Sequence, residues 1–378
     1  MNRLPVLALL ATLHAYIGLR LIPYLSLSTA ATAVATLLLF ASCLLIPLGM
    51  ASRSVRNPEW ADRAVWVGMT TVGVFSSLLV FTVLRDVALG VAWLFASAEG
   101  FAHAEYISAL VVVASAAAAS IVGAINARRR AGIVDVTVPI DNLPASLQGF
   151  TIVQISDVHV GPTIKREYVS AIVDAVNTLE ADVVAVTGDL VDGSVQRLAT
   201  HVEPLKHLRS RHGSYFVTGN HEYYSGATAW IRELRRLGLN VLLNEHVVLK
   251  HLGSQLVLAG VTDYSGHHFH DSHRSDPSAA LQGAPATAAA RVLLAHQPRS
   301  ASAAAAAGFD LQLSGHTHGG QFWPWNHFVR YQQPFTAGLH RLGSLWVYIS
   351  RGTGYWGPPK RIGAPSEITR IRLVNRDS

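Results

Sequence analysis

The chain has 378 residues and a net charge of +6; half of its residues are hydrophobic and 14 % are charged, against about 25 % charged in an average soluble protein. Its length exceeds a single domain of roughly 100–200 residues, and its one cysteine, Cys43, excludes an internally disulfide-stapled fold. The basic balance, with pI 9.6 and mean hydropathy +0.29, does not call for nucleic acid, because arginines beside apolar stretches set topology and attract anionic lipid.

Taken in order, residues 1–130 read as a transmembrane region of about four helices. Runs at 29–50, 65–84 and 106–125 each approach the ~20 residues that cross a bilayer. The run at 4–19 is shorter, contains His14 and ends at Arg20. It reads as a span or as an uncleaved signal-like segment. Residues 87–95 read as a re-entrant or interfacial piece or as an extension of the third span. With the N-terminus inside, Arg3, Arg53, Arg56, Arg63 and Arg128–Arg130 share the cytoplasmic side, and only Arg20 and Arg85 fall outside. The expectation is a multi-pass protein of the cell (inner) membrane with residues 131–378 as a cytoplasmic domain.

Beyond residue 130 the pattern changes. Short β-prone runs at 150–155, 183–186, 215–217, 256–259 and 292–294 alternate with helical patterns at 171–179, 229–237 and 300–307, which implies a layered α/β domain. Polar residues fall where these runs stop: Asp157 and His159, Asp189 and Asp192, Asn220 with His221 and Glu222, His296, and His316 with His318. Ligands in open α/β sheets sit at the carboxyl ends of strands, so the five loops can converge. Asp, Asn and His without thiolate suit divalent Mn, Fe or Zn. Two ions need a bridging carboxylate, for which Asp189 is placed, with Asp192 in support.

Asp-x-His, Gly-Asp-x-x-Asp, Gly-Asn-His-Glu, a lone His and Gly-His-x-His, in this order, resemble the calcineurin-like metallophosphoesterase superfamily, in its membrane-attached bacterial-type branch. The likeness runs from Gln148 to Ile368 and includes Arg351-Gly352-Thr353-Gly354 and Pro358-Pro359-Lys360-Arg361. The resemblance implies a four-layer αββα sandwich holding two divalent metal ions. Asp157, His159 and His318 would bind the first, Asn220, His296 and His316 the second, and Asp189 both. A hydroxide bridging the ions would attack phosphorus, with His221 as proton donor and Glu222 orienting a ligand imidazole. The expected substrate is a phosphoester or pyrophosphate, and tethering favours a lipid-linked one such as the UDP-diacylglucosamine cleaved by some relatives. Membrane lipid is the other expected partner.

Two rival readings carry their own signatures. A membrane sensor or transporter with a non-catalytic metal- or phosphate-binding domain predicts a lost ligand or a lost His221, and none is lost. A nuclease predicts a basic groove with interleaved aromatics, and no such run is present. The His267, His268, His270, His273 cluster reads as a solvated or substrate-facing loop in preference to a third metal site. Asp263 is a candidate to support a ligand. Trp323, Trp325, Phe328 and Tyr331 read as core or membrane-interface residues, and with Tyr355 and Trp356 as walls of an apolar slot. Arg330, Arg351 and Arg361 are candidates to grip a phosphate.

Overall fold

The computed structural model describes residues 4–51 and 57–376. Arg3, Arg53 and Arg56, on which the sidedness expectation partly leans, lie outside the described residues. The chain divides into two compact units. One comprises Met1–Arg128 with Gly357–Ile362, the other Arg129–Trp356 with Gly363–Ser378.

The first unit contains four helices, α1 (Leu4–Leu21), α2 (Thr29–Ala51), α3 (Pro58–Ala92) and α4 (Ala98–Arg128), each long and apolar enough to cross a membrane. The stretch at 87–95 mostly continues α3, whose 35 residues reach about 50 Å at 1.5 Å per residue. Asn57 opens α3 by accepting hydrogen bonds from the Glu59 and Trp60 amides. At one end of the bundle the polar groups satisfy one another. Asp86 accepts from Arg20 Nε (2.9 Å) and from the Tyr16 hydroxyl (2.7 Å). The buried Arg85 donates to the Arg20 carbonyl (2.9 Å), the Glu105 carbonyl (3.0 Å) and Ser108 Oγ (2.9 Å). Arg20 and Arg85, paired by topology in the sequence, therefore meet where α1 ends and α4 begins.

Gly357–Ile362 belongs to this helical unit although it is distant in sequence. Lys360 Nζ donates to the Gly73 carbonyl (2.9 Å) and to Ser77 Oγ of α3. The Arg361 amide donates to the Gly123 carbonyl (2.9 Å), and Asn126 Nδ2 donates to the Arg361 carbonyl (3.2 Å). A Cβ at Gly123 would stand 2.5 Å from Lys360 Cγ, so α4 needs glycine there. Gly123→Leu is expected to destabilise the helical unit by about 1–3 kcal/mol through overpacking. Gly90→Ala, with open space around its Cβ, should show no such loss. Thermal unfolding in detergent, followed by tryptophan fluorescence, checks both.

The second unit is built from β1 (Gly132–Ile140), β2 (Thr151–Ile155), α5 (Arg166–Asn177), β3 (Val183–Val186), α6 (Val195–Val202), β4 (Ser214–Phe216), α7 (Asn220–Ser225), α8 (Ala227–Arg236), β5 (Asn240–Val241), β6 (Glu245–His251), β7 (Ser254–Gly260), α9 (Pro277–Ala280), β8 (Ala290–Leu294), α10 (Ala301–Ala307), β9 (Leu311–Ser314), β10 (Gly338–Leu342), β11 (Leu345–Ile349) and β12 (Glu367–Asn375). Two six-stranded sheets form, ordered β1-β12-β2-β3-β4-β5 and β10-β11-β9-β8-β7-β6.

Their facing surfaces share one core that includes Ile152, Val183, Ala185, Val217, Leu256, Leu258, Val292, Leu294, Leu311, Leu313 and Ile371. The expected αββα sandwich is borne out: two sheets packed face to face between helices. Strands β2, β3 and β4 run parallel in one sheet, as do β7, β8 and β9 in the other. Their near-continuous apolar runs fit strands buried on both faces.

Candidate metal centre

Every sequence-predicted ligand follows a parallel strand: Asp157 and His159 after β2, Asp189 after β3, Asn220 after β4, His296 after β8, His316 and His318 after β9. The chain reverses sharply at these points. Asp157, His159, Asp189, His316 and His318 all adopt positive φ, between 49° and 72°, a region costly for residues with a Cβ. The Asp157 amide donates to the Gly188 carbonyl (3.0 Å) and the His159 amide to the Asp189 carbonyl (3.1 Å), so the first two loops brace each other. Gly219 allows Asp189 to approach, since a Cβ there would lie 2.9 Å from the Asp189 carboxyl carbon.

The side chains gather into overlapping groups able to hold metal: Asp157 with His159 and His318, His159 with Asp189 and His221, and Asp189 with His296 and His316. His159 Nε2 stands 3.0 Å from His318 Nε2, and His296 Nε2 stands 3.2 Å from His316 Nδ1. Asp189 Oδ2 is 3.1 Å from His296 Nε2 and 4.0 Å from His159 Nε2, so it reaches both halves of the cluster. His318 Nε2 lies 3.5 Å from Asp157 Oδ1.

The donor chemistry fits cations. His296 Nδ1 contacts the Thr187 carbonyl at 2.8 Å; a carbonyl only accepts, so Nδ1 carries a proton, and Nε2, 3.1 Å from Asp189 Oδ2, is the nitrogen that would turn to an ion. His159 Nδ1 likewise donates to Asp192 Oδ1 at 3.2 Å, leaving its Nε2 lone pair toward His318. Burial disfavours charge on His296, but Asp189 outweighs it and drives the imidazole well above its usual value. Asn220 Oδ1 is buried with no hydrogen-bonding partner among the described residues, as expected of a ligand oxygen whose partner is an ion.

The supporting residues differ from the sequence expectation. Asp192, read as a support for Asp189, instead accepts from both His159 and His221. Burial raises its carboxyl and these two imidazoles outweigh that, holding it well below the usual range. Among the described residues no hydrogen bond joins Glu222 to an imidazole. It accepts from the amides of Gly219 (2.6 Å), Leu190 (2.8 Å), Asp189 (3.0 Å) and Val191 (3.3 Å), which ties the β3 and β4 loops together. Burial, then repulsion from Asp189, pushes its carboxyl up to about 8. His221 is positioned by its Nδ1 on Asp192, with Nε2 3.9 Å from Asp189 Oδ2. Burial lowers its basicity, but Asp189 and Asp192 together raise it to about 9.

Gln154 was missed. It is a fully buried amide in an apolar strand, and its Nε2 donates to Thr187 Oγ1 (2.8 Å) and to the Ser314 carbonyl (2.9 Å), bridging the sheets beneath the ligand loops. A lone glutamine inside Thr151–Ile155 was the available signal.

Other readings sort as follows. Asp263 contacts Gln297 Nε2 at 3.1 Å, not a ligand imidazole. In the histidine-rich loop, His273 Nδ1 lies 2.8 Å from the Tyr223 hydroxyl and His267 Nδ1 3.2 Å from the Tyr264 carbonyl. Arg351 is paired with Glu367 at 2.8 Å, Arg330 lies over the Tyr331 ring, and Arg361 is buried in the helical unit. None of the three is among the metal-centre groups. Tyr355 is buried, whereas Trp323, Trp325, Phe328, Tyr331 and Trp356 keep large exposed faces.

Known proteins are similar to this chain in sequence. The calcineurin-like phosphoesterase family model matches residues 150–320. A transmembrane protein with metallophosphoesterase domain from Bos taurus is 42 % identical over 265 residues, covering 67 % of this chain and 60 % of that protein. Its namesake in Danio rerio is 38 % identical over 283 residues, covering 73 % of this chain and 64 % of that protein. The chain thus spans less than two thirds of these relatives' length. An uncharacterized metallophosphoesterase of Aquifex aeolicus is 31 % identical over 242 residues, covering 64 % of this chain and 90 % of that one. With the ligand loops in family order at the ends of the same two sheets, the chain belongs to the calcineurin-like phosphoesterase family, a family of metal-dependent hydrolases.

Proposed function

We propose that this chain is a membrane-anchored phosphohydrolase that uses two divalent ions to cleave phosphoester or pyrophosphate bonds. Asp157, His159 and His318 would hold one ion, Asn220, His296 and His316 the other, and Asp189 both. Helices α1–α4 would cross the cell membrane and leave the second unit on its cytoplasmic side. The observation that carries the reading is the facing of imidazole nitrogens across two carboxylates, His159 on His318 and His296 on His316, beside the unpartnered Asn220 oxygen. That arrangement is unfavourable without cations and apt with them.

When bound, the ions supply positive charge for the phosphoryl oxygens and acidify water. The protein's part is to orient and to move a proton. As phosphorus takes a water oxygen and its bond to the departing oxygen breaks, His221 Nε2 gives that oxygen a proton. Asp192 holds the imidazole by its other nitrogen and steadies the cation before transfer. Glu222 keeps the Asp189 loop rigid through four amides.

The test uses the full chain in detergent, stripped of metal and resupplied with Mn, Fe, Zn or Mg, with a chromogenic phosphodiester and a phosphomonoester as substrates. Turnover should return with metal. A folded protein that binds two ions and turns over neither substrate would instead favour a sensor.

A further inference from the structure

We propose that Tyr224 and Trp356 form an aromatic gate at His221 that selects phosphoesters whose ester group is apolar over those of small polar alcohols. The proposal rests on the phosphohydrolase reading and specifies the substrate class of that site.

The two rings flank the proton donor. The Tyr224 ring centroid lies 5.2 Å from that of His221 at 67°, and the Trp356 centroid lies 5.7 Å away at 73°. The metal-centre side chains are buried or nearly so, yet Tyr224 is 60 % exposed and Trp356 49 %. Large aromatic faces beside a reaction centre are uncovered apolar area that a ligand can cover. With both ring centroids within 5.7 Å of that of the His221 imidazole, a substituent on a phosphorus in proton-transfer reach of Nε2 has these rings for neighbours.

The Trp356 main chain and the Tyr224 ring have protein partners before any ligand arrives. Gln321 grips the Trp356 main chain from both sides, its Oε1 accepting from the amide and its Nε2 donating to the carbonyl, each at 2.9 Å. Gln321 follows His318-Gly319-Gly320 and itself takes φ 57°, so the turn that carries a ligand also fixes the tryptophan. Tyr224 sits on α7 with Asn220 and His221, and Phe269 backs it at 5.7 Å and 60°. Such preorganisation lowers the ordering cost of binding.

Holding His221 in place does not require these rings, because Asp192 fixes its Nδ1 and Asp189 Oδ1 accepts from its amide at 2.8 Å. A fatty chain and a flat aryl group share the needed chemistry, apolar area directly beside the phosphate, and substrates can separate them.

The experiment measures kcat/KM of the metal-loaded full chain, at constant detergent, by alcohol release from the symmetric dimethyl, dibutyl, dihexyl and diphenyl phosphates, in which the departing group beside His221 is the one varied. Wild type should gain about three- to fourfold per methylene over the first few carbons, the factor expected for a fully buried CH₂, chiefly through KM. Tyr224→Ala and Trp356→Ala should flatten that slope while leaving the methyl ester within a few-fold, and Trp356→Phe should restore most of it. A preference for the phenyl over the hexyl ester would mark an aryl alcohol, and the reverse a lipid chain. Turnover without chain-length dependence, or a uniform loss across the series in the alanine variants, overturns the gate and leaves the phosphohydrolase standing. No turnover of any ester with any metal overturns the phosphohydrolase reading itself.

Discussion

Asp189→Asn should abolish turnover, by about a thousandfold or more, and reduce bound metal from the proposed two ions per chain to one or none. Asp189 Oδ2 is the carboxylate oxygen that reaches both halves of the cluster, 3.1 Å from His296 Nε2 and 4.0 Å from His159 Nε2. The amide replacement keeps an oxygen for the hydrogen bond from the His221 amide, 2.8 Å in the native protein, so the loop has reason to stay in place. What goes is a negative charge among inward-turned imidazoles and the carboxylate oxygen that reaches both halves of the cluster. A catalytic metal contributes several kcal/mol of charge stabilisation, and each 1.36 kcal/mol is tenfold in rate. Metal analysis alongside kcat separates this outcome from unfolding: native-like tryptophan fluorescence with two ions and full rate would remove Asp189 from the centre.

Loss of His221, the proposed proton donor, should be the next largest effect. His221→Ala is expected to lower kcat by about 10²–10⁴-fold, the range for positioned acid–base groups, while leaving metal content intact. The pH profile identifies the role. In the metal-free protein the His221 imidazole is raised from 6.5 to about 9, so it stays protonated at neutral pH and loses its proton as pH rises through that value. A donor must be protonated to act, so activity should hold on the acid side of this transition and fall on the alkaline side. Bound cations offset Asp189, leaving Asp192 as the group that keeps the alkaline limb high. Asp192→Asn should therefore move that limb to lower pH. An unmoved limb would mean that another group donates the proton.

The ligand loops were legible because each chemical residue ends a short apolar run, and a buried strand can deliver a polar side chain only where it stops. The four helices were legible from length and hydropathy. Long-range pairings were not. Strand β12 inserts between β1 and β2, joining the start and end of the second unit, and its Glu-Ile-Thr-Arg-Ile-Arg alternation has no continuous apolar run to announce it. The duties of Asp192 and Glu222 were misjudged for a related reason. Asp192 lies three residues from Asp189, but turning at positive φ separates neighbours, and the nearest partners come from other loops. Nothing in the composition of Gly357–Ile362 marks it as belonging with helices more than two hundred residues earlier.

That segment has a consequence for the order of synthesis. Helices α1–α4 leave the ribosome more than two hundred residues ahead of the segment that packs on them, Lys360 against α3 and Arg361 against Gly123 of α4. At 5–20 residues per second the helices wait roughly ten seconds to a minute for it. During that interval the Gly73, Ser77 and Gly123 groups await the partners that later satisfy them. The helical unit is finished only after most of the second unit has been made, with β12 still to follow.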